Sequence, residues 1–237
     1  MQAVLLLIAA LAAYVWYLKG GPFGRAFLAE RRFARLAVRS ATMFGGVSIL
    51  SLAAMGRLAD VVDLPREFAI PATTALDWLP GLTEPVGIAL ILLGLLIGGG
   101  VGTLVSRWRG RIFAFGDVTA VLPQARRELG WAALLAVDAG VSEELFFRLL
   151  LPLLIAQVTG SAWIGFAGAT ALFGFAHRYQ GLAGVLATTF VGVLMTGIYL
   201  ASGNLWMAML LHMAINLNGL VLRPLAMGIW TKNSRSP

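Results

Sequence analysis

Apolar residues run almost without interruption over 2–18, 36–56, 85–106, 131–156, 161–177, 182–201 and 204–222. A helix of about 20 residues crosses roughly 30 Å of hydrocarbon, and none of these runs shows the period-two alternation of a barrel strand. The pattern predicts an all-α, polytopic transmembrane helical bundle of about seven spans. The connection 57–83 carries Pro65, Pro71 and Pro80 among acidic residues and reads as an ordered turn segment outside the membrane. The stretch 117–130 has an apolar and a basic side and predicts a short amphipathic helix lying along the interface.

Charge sets the expected orientation. Lys19, Arg25, Arg31, Arg32, Arg35 and Arg39 are assigned to the first connection with Glu30 as the one acid, and Arg107, Arg109, Arg111, Arg126 and Arg127 outnumber Asp117 and Glu128 in the third. Arg223, Lys232 and Arg235 follow the last run, whereas Asp60, Asp63, Glu67, Asp77 and Glu84 outnumber Arg57 and Arg66 in the second connection. By the positive-inside rule the basic connections and the C-terminus are cytoplasmic and Met1 is outside. The first run lacks a basic segment before it and is followed by Lys19, so it is expected to be a retained span and not a signal peptide.

Composition agrees with this reading and narrows it: the 237 residues are 59% hydrophobic and 12% charged, against about 25% charged in soluble domains. The net charge of +7 is accounted for by these topology signals and needs no nucleic acid. The absence of cysteine excludes disulfides and thiolate metal sites. Localisation is expected to be integral and multi-pass, in a prokaryotic cell membrane, with the bilayer and a peptide or membrane-protein substrate as partners; the residues leave the oligomeric state open.

Ionisable groups inside the runs concentrate late in the chain, as Asp138, Glu143, Glu144, Arg148, His177 and His212. Charge within a bilayer is expensive and marks pairing, water or function. Residues four apart share a helical face, so Glu144 and Arg148 are expected to pair, with the acid N-terminal. Glu143 points about 100° away and is left as the spare carboxylate, suited to general acid–base work. Asp138, closer to the helix start, is expected to pair or cap. Phe173 and His177 share one face, as do His212 and Asn216. Glu143 and His177 have the chemistry to hold and deprotonate a water, and His212 with the Asn216 amide can donate to an oxyanion.

In this order and at these spacings, Glu143-Glu144…Arg148, Phe173…His177 and His212…Asn216 resemble the type II CAAX prenyl protease and bacteriocin-processing family, the CPBP intramembrane proteases often labelled Abi. The resemblance covers about 120–222. It implies a membrane endopeptidase in which the first Glu and first His activate water, the second His and the Asn surround the oxyanion, and the second Glu pairs with the Arg. Members commonly carry Gly after the Arg, where this chain has Leu149. The division expected is 1–116 as N-terminal scaffold helices or a substrate-side wall, 117–222 as the catalytic core, and 223–237 as a cytoplasmic tail.

No cofactor is firmly implied. Zinc is possible, with Glu143, His177 and His212 as candidate ligands to an ion that wants three protein donors, although no His-Glu-x-x-His helix is present; a glutamate-type mechanism is favoured. Three other readings stand beside the protease: a proton-coupled transporter using the same buried charges, a non-catalytic membrane scaffold, and a serine protease using Ser142, which is more simply a helix N-cap or helix–helix hydrogen bonder. Whether the substrate is a prenylated CAAX peptide, a leader peptide or another membrane protein is not legible in the residues.

Overall fold

The computed structural model describes residues 1–19 and 32–228, which form an all-α bundle with no strand among the described residues. We number its helices α1 (Gln2–Lys19), α2 (Arg32–Ala54), α3 (Ala69–Trp78), α4 (Pro85–Arg109), α5 (129–159), α6 (Ala162–Ala176), α7 (Gly181–Ser202) and α8 (Leu205–Met227). By length and composition α1, α2, α4, α7 and α8 can cross a membrane. Helix α6 is apolar but shorter, and α5 is long but carries Asp138, Glu143, Glu144 and Arg148 along its middle. The protein is an integral membrane protein.

Three expectations need correction. Helix α2 begins at Arg32 and not at 36, so Arg32, Arg35 and Arg39 stand on a helix. Phe33, Ala34, Ala37 and Ser40 bury one side of that turn, and the arginines occupy the remainder, an amphipathic start that an apolar-run search passes over. The proline-rich connection contains α3, because Pro71 falls in its first turn, where backbone N–H groups have no helical partner to lose. Phe68, just before α3, is fully buried against Phe166 and Tyr199. Between 117 and 130 there is no amphipathic helix but two short 3₁₀ turns, Thr119–Val121 and Arg126–Glu128. Pro123 separates them and holds Leu122 extended.

Glycine followed by a capping residue makes the tight reversals. Gly160 and Gly203 take left-handed φ of 75° and 62°, after which Ser161 accepts from the Ile164 N–H and Asn204 from the Trp206 N–H. These two-residue links make α5/α6 and α7/α8 antiparallel hairpins. The basic ends of α1, α2, α6 and α8 meet at one end of the bundle. The other end carries a clamp in which Arg57 binds Asp60 at 2.7 Å and both oxygens of Glu67 at 2.9 Å, and Glu67 also accepts from Gln157 at the end of α5. Of the basic residues used for orientation, Arg25, Arg31, Lys232 and Arg235, with the acid Glu30, lie outside the described residues.

The clamp predicts a pH effect. Its hydrogen bonds from Arg57 hold the Glu67 carboxyl down to about 2. A depressed folded-state value contributes stability above the ordinary carboxylate range, and that contribution is lost as pH falls toward about 2. Arg57→Gln is therefore expected to lower the unfolding temperature at pH 6 by a few degrees and to flatten its fall between pH 5 and pH 2.5, measured in detergent; an unchanged pH profile would remove the clamp as the cause.

Candidate active site

The site is assembled where α5, α6 and α8 cross. Gly140 permits the closest approach: a Cβ there would lie 2.9 Å from the Met213 nitrogen and 3.2 Å from the Met209 carbonyl on α8. The contact brings His212 beside the next turn of α5. Gly140→Leu is expected to separate the helices and abolish both folding yield and the His212 contacts, whereas Gly130→Ala, where added Cβ meets nothing within 4 Å, is expected to be neutral; yield and unfolding in detergent report both.

On α5 the regular helix ends at Glu144 and gives way to a wider π turn, Leu145–Leu150, an irregularity that recurs at functional sites. Glu144 and Arg148 are sealed, at 0% and 1% exposure, with Arg148 Nη1 3.1 Å from Glu144 Oε1. This is an ion pair by distance, although neither Nη1 nor Nη2 is aligned as a hydrogen-bond donor. The guanidinium instead lies 4.1 Å over the Phe173 ring, which offers a negative face to a cation.

The same Glu144 oxygen accepts a hydrogen bond from His212 Nδ1 at 2.6 Å. That bond turns Nε2 toward Glu143, 4.0 Å from its Oε2. Glu143 Oε2 has no hydrogen-bond partner among the described residues, in keeping with a spare carboxylate. His177 caps the C-terminus of α6, and its Nδ1 lies 2.9 Å from the Phe173 carbonyl. A carbonyl only accepts, so Nδ1 carries the proton and Nε2 of the neutral ring is an acceptor.

Glu143, His177, His212 and Asn216 line one cavity of about 980 Å³, with Glu144 and Arg148 behind its wall. The structure thus divides the six sequence candidates into four cavity-lining groups and a buried pair. Ser142 does not cap a helix: it sits mid-helix, donates to Asp138 Oδ1 at 3.0 Å, and packs against Gly45 of α2. Asp138 is paired as expected.

The candidate zinc ligands share the cavity, but no three His, Cys, Asp or Glu among the described residues form a metal-binding group. As placed, Glu143, His177 and His212 do not fit a three-donor zinc site.

Two contributions escaped the sequence reading. Spacing aligns Phe173 with His177 and nothing more, yet its carbonyl orients His177, its ring supports Arg148, and it stands in a T-shaped contact with the His212 ring, centroids 5.9 Å apart. Tyr17, Arg35 and Arg39 on α1 and α2 complete the cavity wall, with Tyr17 and Phe44 opening an aromatic stack through Phe146 and Phe147 to Phe173. The four-residue spacing of Arg35 and Arg39 was the available signal.

Fold and site together define a helical membrane protein with acid–base side chains gathered in a bundle cavity. Residues 125–218 match the family model described as type II CAAX prenyl endopeptidase Rce1-like. The family is one of proteases. No curated protein and no solved structure matches the chain.

Proposed function

We propose that the protein is an intramembrane endopeptidase of the glutamate type, acting at the basic end of the bundle on a membrane-associated or leader peptide. The observation that carries the reading is the shared cavity of Glu143, His177, His212 and Asn216, backed by the sealed pair Glu144–Arg148.

The nucleophile of this reading is a water in the cavity held between the Glu143 carboxylate and His177 Nε2, each at an ordinary hydrogen-bond length of about 2.8 Å. Glu143 accepts one proton as the water oxygen bonds the carbonyl carbon, and the carbonyl π electrons move to oxygen. The oxyanion receives hydrogen bonds from the Asn216 amide and from His212 Nε2–H. In that form His212 donates from both nitrogens and is cationic, so Glu143, Glu144, Arg148 and His212 sum to zero charge before the proton transfer. Glu143 then gives its proton to the leaving nitrogen as the C–N bond breaks.

Glu144 and Arg148 act as positioning residues that hold His212 and the α5 turn. The basic end is proposed to face the cytoplasm of a prokaryotic cell, with 1–116 as wall and scaffold and 117–222 as the catalytic core. The test is cleavage of a quenched peptide panel, including a farnesylated CAAX peptide, by full-length detergent-purified protein. Cleavage by the parent and its loss in folded Glu143→Gln support the reading, and equal cleavage by both overturns it.

A further inference from the structure

Between His177 and the start of α7 the chain makes a single 3₁₀ turn, Arg178–Gln180, and holds it more firmly than a connection requires. The Gln180 N–H donates to the His177 carbonyl at 2.9 Å, and the Gln180 carbonyl accepts from the Asp117 N–H at 2.9 Å. Two glycines let the neighbouring backbone close around Gln180. At Gly116, with φ of +94°, an added Cβ would lie 2.6 Å from the Gln180 carbonyl oxygen, and at Gly184 one would overlap the Gln180 Cβ.

This cradle fixes an amide against a hydroxyl. Gln180 Nε2 donates to the Tyr179 hydroxyl at 3.0 Å, and the Tyr179 ring lies 6.0 Å from the His177 ring at an interplanar angle of 33°. Tyr179 and Gln180 line the same cavity as Glu143 and His177, and Tyr179 stays 48% exposed. A ring that only covers the imidazole needs no hydroxyl and no positioned partner for one. An oxygen that accepts from an amide keeps its own O–H to give, and the accepted bond makes it a better donor. Among the described residues nothing accepts that O–H.

From this we infer that Tyr179 touches the substrate: its hydroxyl, set by Gln180, donates to a main-chain carbonyl of the bound peptide within about two residues of the scissile bond. The inference rests on the endopeptidase reading for the identity of the occupant. Its offset follows from the ring separation, since 6.0 Å is about two residues of extended chain at roughly 3.3 Å each. Tyr179 stands with His177 at the end of α6, apart from the His212 and Asn216 donors on α8, so its contact is to the chain flanking the bond and not to the oxyanion. A carbonyl is offered by every residue of a peptide, so the contact aids binding without selecting among side chains.

Binding separates the inference from the activity. A fluorescein-labelled, amidated apolar peptide is titrated by anisotropy onto full-length Glu143→Gln protein in phosphatidylcholine nanodiscs, together with a series in which each backbone amide in turn is replaced by an (E)-alkene. Adding Tyr179→Phe keeps the ring beside His177 and removes only the donor. It is expected to weaken the all-amide peptide about fivefold, the size of one neutral hydrogen bond, in protein that unfolds like the parent. The alkene that replaces the contacted carbonyl is expected to bind with and without Tyr179→Phe alike, while the rest of the series keeps the contrast. Gln180→Glu, whose carboxylate takes the hydroxyl proton for itself, is expected to reproduce the Tyr179→Phe loss.

Unchanged affinity in Tyr179→Phe overturns the inference and leaves Tyr179 as a positioning residue for His177. A loss carried equally by every member of the alkene series overturns it too, because the hydroxyl would then serve the protein and not the peptide chain. Peptides that show no binding at all have the same consequence. Cleavage by protein that retains Glu143 is read separately, where Tyr179→Phe is expected to raise KM with kcat within about twofold, as loss of uniform binding requires. Carbonyl-specific binding without cleavage leaves the contact standing and sinks the proposed activity; cleavage indifferent to Tyr179→Phe does the reverse.

Discussion

Glu143→Gln is expected to reduce peptide cleavage by roughly 10²–10⁴-fold, the range for removal of a positioned general base, in protein that purifies and unfolds like the parent. Gln preserves the size of the side chain and removes the proton acceptor. The neighbouring Glu144 cannot substitute, because it is sealed at 0% exposure and already serves Arg148 and His212. His177→Gln is expected to cost a comparable factor, since it removes the unprotonated Nε2 that is the second contact to water and that the Nδ1 bond to the Phe173 carbonyl keeps aimed in the parent. Single-turnover cleavage with each folded variant tests this. Parental rates in both would move the chemistry away from this cavity, and loss only in His177→Gln would make Glu143 a bystander.

Arg148→Leu is expected to be the most damaging removal of a charge for stability. It leaves the Glu144 carboxylate in a site with no exposure and only His212 as a charge partner. Breaking a buried pair by removing one partner costs about 3–5 kcal/mol, enough to consume much of the stability of an ordinary domain. Phe173 would also lose the cation above its ring. The double substitution Glu144→Gln with Arg148→Met removes both charges at similar volume and is expected to recover part of the loss, though not activity, because His212 would be held less firmly. Unfolding by denaturing detergent, run as a double-mutant cycle, reads the coupling. If Arg148→Leu were as stable as the parent, the pair would not be holding the α5 turn.

The hydrophobic pattern alone determined the helical membrane class, because a bilayer leaves long apolar runs no other way to satisfy their backbone. The four-residue spacings also determined the pairing of Glu144 with Arg148 and the alignment of Phe173 with His177, since both stay within one helical face. The failures have a common cause. The first turn of α2, the hidden α3 and the broken stretch around Pro123 are places where burial on one side or a single proline outweighs the average hydrophobicity of a window.

Only the tertiary structure decided which groups share a cavity. Glu144 and His212 are 68 positions apart, and what joins them is the bare backbone at Gly140 against Met213, a contact with no local signature. The division between cavity-facing Glu143 and sealed Glu144 likewise depends on which side α8 approaches. The convergence of cations from α1, α2, α6 and α8 on one mouth has the same origin: each charge is visible in the chain, but the space they enclose exists only after the helices have packed.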